Sequence, residues 1–121
     1  MTPQLSFDMH AEDSKILQIT VKDANSGSLI DLSGCTAKWQ MARQLTSLPF
    51  TFYSLPIVSK DTTSGIVITD PIHGVMQITL LPTDTSGLRG AYYHELRVTD
   101  TGGNEQTVLV GTITIYRTLI P

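Results

Sequence analysis

AYYHELRVTDTGGNEQTVLVGTITIY, residues 91–116, decides the fold of this chain. Ala91 to Asp100 and Thr107 to Tyr116 are rich in β-branched and aromatic residues, and Thr101-Gly-Gly-Asn104 between them supplies turn chemistry, so the pair predicts an antiparallel hairpin. In its second strand Val108 and Val110 share one parity while Ile113 and Ile115 share the other, which predicts a β-bulge at Gly111. His94 and Glu95 are adjacent and so point to opposite faces. That argues against an acid–base pair and makes His94 a core or sheet histidine.

The same period of two runs outward through the chain. Leu17, Ile19 and Val21 alternate with Gln18, Thr20 and Lys22, and the run stops at the turn residues Asp23 to Gly27. After a second turn, Asp31-Leu-Ser-Gly34, the residues Cys35, Ala37, Trp39 and Met41 share one parity and place the only tryptophan on an inward face. Ile66 to Ile68 is a short strand closed by Asp70-Pro71, and Val75 to Leu81 is another with Met76, Ile78 and Leu80 inward, ended by Pro82. Thr83 to Leu88 reads as one polar-capped turn of helix crossing between sheets. A first strand near Gln4 to Met9 and another near Leu55 to Ser59 bring the count to about seven or eight, at the spacing of a two-sheet sandwich. The expected fold is an all-β, immunoglobulin-like sandwich of antiparallel strands without a disulfide. Tyr92-Tyr93 sits where such sandwiches place a corner tyrosine.

Composition sets the frame. A chain of 121 residues fits one domain over 1–121, with 1–13 as an N-terminal arm or edge strand and 43–56 as an aromatic-rich loop or hairpin. The single cysteine, Cys35, has no intrachain partner, which suits synthesis in a reducing host cytoplasm. A net charge of −3 with scattered acids and bases offers no footprint for nucleic acid or anionic lipid. No run reaches the length of a membrane span, and the N-terminal residues lack the pattern of a secretory signal.

Ile30-Asp-Leu-Ser-Gly34, the Cys35 to Met41 strand, Gly65 to Asp70, Pro82-Thr-Asp84, and the pair Ala91 to Asp100 with Thr107 to Ile115 are together similar to the small immunoglobulin-like domains of tailed-bacteriophage virion proteins. These include the N-terminal domain of baseplate upper proteins. The resemblance covers about residues 14–117 and implies a structural role in the virion, with other phage structural proteins as partners and several symmetric copies. It carries no catalytic residue across.

One segment departs from that family. Where a short polar connection is usual, Leu45 to Pro56 carries Phe50, Phe52 and Tyr53, with Leu48 and Leu55 beside them. Exposed, these residues form a contact surface; turned inward, Phe50 and Phe52 fill the bottom of the sandwich. Phe7 and Met9 alternate with polar residues in the arm, which either edges its own sheet or adds to a neighbour's. Asp8, His10 and Glu12 share a parity that suits a metal, but with no fourth ligand in view a solvated face is the better reading, and neither metal nor cofactor is expected. Asp23 to Gly27 has its glycine one position early for a calcium loop. The functional expectation is a non-enzymatic virion module docked on tail, baseplate or head; the alternative is a module that binds a host-surface carbohydrate or protein.

Overall fold

Trp39 is wholly buried, and the strand that carries it is the spine of the fold. The computed structural model describes residues 4–23, 26–47 and 50–119, and of 44–47 and 50–55 the backbone alone. Eight strands follow in order: β1 (Phe7–His10), β2 (Lys15–Thr20), β3 (Thr36–Ser47), β4 (Phe50–Asp61), β5 (Ile66–Asp70), β6 (Val75–Leu80), β7 (Gly90–Thr99) and β8 (Glu105–Tyr116). They form one sheet ordered β1-β8-β7-β3-β4 and a second ordered β2-β6-β5.

The inner faces follow the alternation of the sequence. Leu17 and Ile19 from β2 and Met76, Ile78 and Leu80 from β6 meet Trp39, Met41, Leu96 and Ile113 from the larger sheet, all buried. Tyr92 closes the core at the start of β7, where its hydroxyl donates to the Arg89 carbonyl at 2.9 Å and accepts from the Arg89 amide at 3.1 Å. Two packed sheets, a tryptophan on the third strand and a tyrosine corner define an immunoglobulin-like sandwich. Cys35 is free, so no disulfide crosses it.

Four details differ from the expectation. The arm is a strand of its own domain, but β1 runs parallel to β8, so the pairing is not antiparallel throughout. The chain crosses to the second sheet at the end where β8 also finishes, which gives the two strands one direction. The helical turn shrinks to a single 3-10 turn, Pro82–Asp84, in which the Asp84 carboxylate accepts the Leu81 amide at 2.7 Å and pairs with Lys60 at 2.8 Å. The strand near Leu55 is β4, twelve residues long. Its Pro56 is tolerated because β4 is an edge strand, and the β3–β4 register shifts twice around Ala42.

The fourth difference concerns Gly111. It pairs regularly with His94, and Leu109, Gly111, Ile113 and Ile115 keep one inward parity. The extra residue lies at Val108, where the register passes from Leu96↔Leu109 to Arg97↔Thr107. Gly111 answers a different need. A Cβ there would sit on the Leu5 carbonyl and 2.8 Å from His94 Nε2, so the missing side chain leaves the space that the arm and the imidazole fill.

Gly111→Ala is therefore expected to cost about 1–3 kcal/mol through overpacking. Urea unfolding would measure the loss, and hydrogen exchange would find it concentrated in residues 5–10 and their β8 partners. Unchanged stability and unchanged protection of the arm would show that the notch is not needed.

Candidate functional site

Three places in the fold concentrate polar or exposed chemistry. The first is the far end of the β3–β4 hairpin. The β3–β7 ladder ends at Arg43↔Tyr92, whereas the β3–β4 ladder continues through Gln44↔Tyr53, Leu45↔Phe52, Thr46↔Thr51 and Ser47↔Phe50. The 43–56 segment is thus a hairpin whose end, among the described residues, is a two-stranded ribbon in which β3 and β4 pair only with each other. Phe50, Phe52, Tyr53 and Leu55 all belong to β4, and Leu48 lies outside the described residues. Met9 is buried in the domain's own core, and Phe7 packs partly against it, with its ring edge-on to His94 and the Lys15 ammonium 5.1 Å from its centroid.

The second place is the outer face of the larger sheet. Lys38, Gln40, Tyr93, Glu95, Arg97 and Glu105 surround a depression of about 470 Å³ whose floor is lowered by Ala42 and Pro56. The ionic groups engage one another. Arg97 lies 3.6 Å from both Glu95 and Glu105, and Glu95 accepts from the Thr107 hydroxyl at 3.0 Å and the Tyr93 hydroxyl at 3.3 Å. An open basin with an aromatic ring, an amide and carboxylates suits a polyhydroxylated or peptide ligand better than a bare ion. Sequence reading missed it. The signal was the outward parity of Lys38, Gln40 and Ala42 on β3 and of Tyr93, Glu95 and Arg97 on β7, which the ladder sets side by side. The outer face of the smaller sheet differs, for its positions Ile16, Gln18, Thr20, Val67, Gln77 and Thr79 carry no charge.

The third place is internal. Trp39 donates its indole N–H to His94 Nδ1 at 3.0 Å, and His94 Nε2 lies 2.6 Å from the Leu5 carbonyl. An accepting Nδ1 leaves the proton on Nε2, which donates to Leu5. The ring is fully buried, so His94 is the core histidine expected. Burial pushes its pKa below the ordinary 6.5, opposed by the bond to Leu5. Around it stand Trp39 and Met41 from β3, Tyr92 and Leu96 from β7, Gly111 from β8, and Leu5 and Phe7 from the arm, with Lys15 of β2 beyond the Phe7 ring.

The remaining polar candidates are engaged in local structure. Glu12 sits in the turn after β1, where Thr85 Oγ1 accepts its amide at 2.8 Å and Ser86 donates to its carboxylate at 3.2 Å, while the His10 ring lies against Tyr116. Among the described residues no three His, Cys, Asp or Glu side chains could hold a metal. Asp23 accepts the Ser26 amide in a turn, with residues 24–25 outside the described set. The Cys35 thiol is pushed up by burial and by the nearby carboxylates of Asp100 and Asp31, which opposes thiolate formation. Asp31, Asp61 and Asp100 are held below the usual carboxylate range, the first two chiefly by the hydroxyls of Ser33 and Thr63 and the third by the Asn104 amide.

No protein-family model matches the chain, and no curated protein matches it. Among solved structures it is similar to Tim-1, at 16% identity over all of this chain and 99% of that one, with a TM-score of 0.43. It is also similar to murine CRIg, at 15% identity over 98% of this chain and 95% of that one, with a TM-score of 0.34.

The histidine sets a pH dependence of stability. Its folded-state pKa is depressed, so the unfolded chain takes up a proton that the folded chain refuses as pH falls through about 6.5, and stability is lost on the acid side. His94→Phe keeps the ring but strands the Trp39 N–H and the Leu5 carbonyl, at an expected cost of about 2–5 kcal/mol at neutral pH. Urea unfolding between pH 7 and pH 5 should show an acid loss in the native protein that His94→Phe lacks. A parallel decline in both would assign the effect to other groups.

Proposed function

We propose that this chain is a non-enzymatic module of a tailed-phage virion, held by protein–protein contacts in several symmetric copies. Two lines support the reading: the resemblance of residues 14–117 to virion immunoglobulin-like domains, and the ribbon at the end of β3 and β4. The ribbon is the observation that carries it. A two-stranded hairpin without a further strand or covering layer is marginal in water. This one leaves the five-stranded sheet after Arg43↔Tyr92, and its second strand holds two of the three phenylalanines. A neighbouring subunit packed on the ribbon would add to its stability, and repeated weak contacts in a symmetric assembly add up to firm attachment.

The test is solution mass by light scattering, comparing the native chain with Phe50→Ser, Phe52→Ser, Tyr53→Ser in combination. The native chain is expected to associate and the triple variant to remain a folded monomer by circular dichroism. Two folded monomers would overturn assembly through the ribbon.

One observation favours a second reading, that the module binds a carbohydrate or protein on the host surface. The basin over β3 and β7 places Tyr93, Glu95 and Glu105 around a water-accessible hollow. On that reading Tyr93→Ala reduces binding on a glycan array at least tenfold with the fold intact, through loss of the ring on which a sugar face would rest. Equal signals from native and variant protein would remove the basin from consideration.

A further inference from the structure

Residues 4–10 combine two properties found together nowhere else among the described residues: a strained connection to the rest of the chain, and a seat shaped for one particular segment. The connection is the turn from His10 to Asp13, closed by the Asp13 amide on the His10 carbonyl at 3.3 Å. Within it Glu12 has φ 69°, and it is the one non-glycine residue among those described with a positive φ. An L-residue there crowds its Cβ against the following carbonyl, which glycine would not.

The seat lies on β7 and β8. Leu5 donates its amide to the Val110 carbonyl at 2.9 Å and its carbonyl receives His94 Nε2–H. Thr112 donates its amide to Ser6 Oγ at 3.1 Å, Phe7 pairs with Ile113 in parallel register, and the carbonyl of Leu5 occupies the space that the missing Gly111 side chain leaves. All these partners are on β7 and β8, not on the turn. An identical arm from a second copy would make the same bonds in the same seat, so exchange alters only the turn, where it trades the strain at Glu12 against the His10–Asp13 bond and the bonds that Thr85 and Ser86 make to Glu12. Short connections under strain favour exchange of an identical element between protomers.

We propose that residues 4–10 exchange between two copies of this chain, each arm entering the Gly111 seat of the other. The seat fits this segment in particular, because Ser6 Oγ receives the Thr112 amide, Phe7 pairs with Ile113 and Met9 enters the core while the notch takes the Leu5 carbonyl.

The experiment uses the 121-residue chain with Cys35→Ser, carrying either Ser6→Cys or Thr112→Cys, one of the two isotope-labelled so that mass distinguishes the products. The variant with both cysteines in one chain is the control that the pair is close enough to bridge. The two single variants are mixed at high concentration, oxidised mildly, and the cross-linked species counted by mass spectrometry. Exchange predicts a heterodimer at least tenfold above either homodimer, because only a swapped arm brings Cys at 6 against Cys at 112 of the other copy.

The turn supplies the second arm of the test. Glu12→Gly also loses the exposed Ser86 bond but removes the larger backbone strain, and it is expected to slow heterodimer formation about tenfold. Glu12→Ala keeps the strained backbone, loses the Ser86 bond and is expected to speed it. A heterodimer at its statistical share while the control closes, or a rate indifferent to residue 12, overturns the proposal. Combining the cysteines with the Phe50, Phe52 and Tyr53 substitutions separates the two surfaces, since exchange through the arm survives when the ribbon is altered.

Discussion

The hydrogen-bonded chain from Trp39 through His94 to Leu5 ties together the parts of this domain that would otherwise have least reason to stay in place. A sandwich of this kind commonly packs its tryptophan against a disulfide, with the second cysteine two residues after the corner tyrosine. Here that position, two after Tyr92, holds His94. The imidazole accepts from the indole on one side and donates to the arm on the other, which joins β3, β7 and the segment before β1 in one buried network. A buried ring with both nitrogens satisfied is stabilising, whereas one with a nitrogen unpaired would carry the full desolvation cost. No buried side-chain nitrogen or oxygen among the described residues lacks a partner. Gly111 is a consequence of the same arrangement, since the arm and the ring leave no volume for a side chain there.

That dependence explains where sequence reading succeeded and where it stopped. The inward sets on β2, β3 and β6 were legible because each is decided by its own strand: Leu17 and Ile19, Ala37 and Trp39, Met76 and Ile78 alternate with polar residues, and burial follows. The tyrosine corner was legible because it is local, reaching only three residues back to Arg89. The network was not, since its bonds span 55 and 89 positions and no pattern within one strand announces them. Gly111 was misread for the same reason. Judged against Val108 and Val110 it looked like a break in phase, while its cause lay in Leu5 on another segment.

Site chemistry was harder still. The 43–56 segment was read as a loop or hairpin, and the length of its strands was not legible because β3 loses its alternation after Met41, where Ala42 and Arg43 through Ser47 offer no inward set and ladder pairing alone extends the strand. The basin over β3 and β7 needed two facts at once: which strands are neighbours, and that Ala42 and Pro56 are low between taller side chains. The acidic residues illustrate the opposite case. Asp31, Asp61 and Asp100 each accept bonds from residues two to four positions on and serve as turn chemistry. What the sequence offers as charge, the fold uses largely as punctuation.

The ribbon also decides how this domain would bear load. Its first strand is the distal part of β3, the same strand whose proximal part carries Trp39 and pairs with both β7 and β4. Tension applied along the ribbon therefore enters the sandwich parallel to the β3–β7 ladder and strains its hydrogen bonds together in shear, where an attachment at a loop would peel them one at a time. A tether made through these residues would load that ladder in shear.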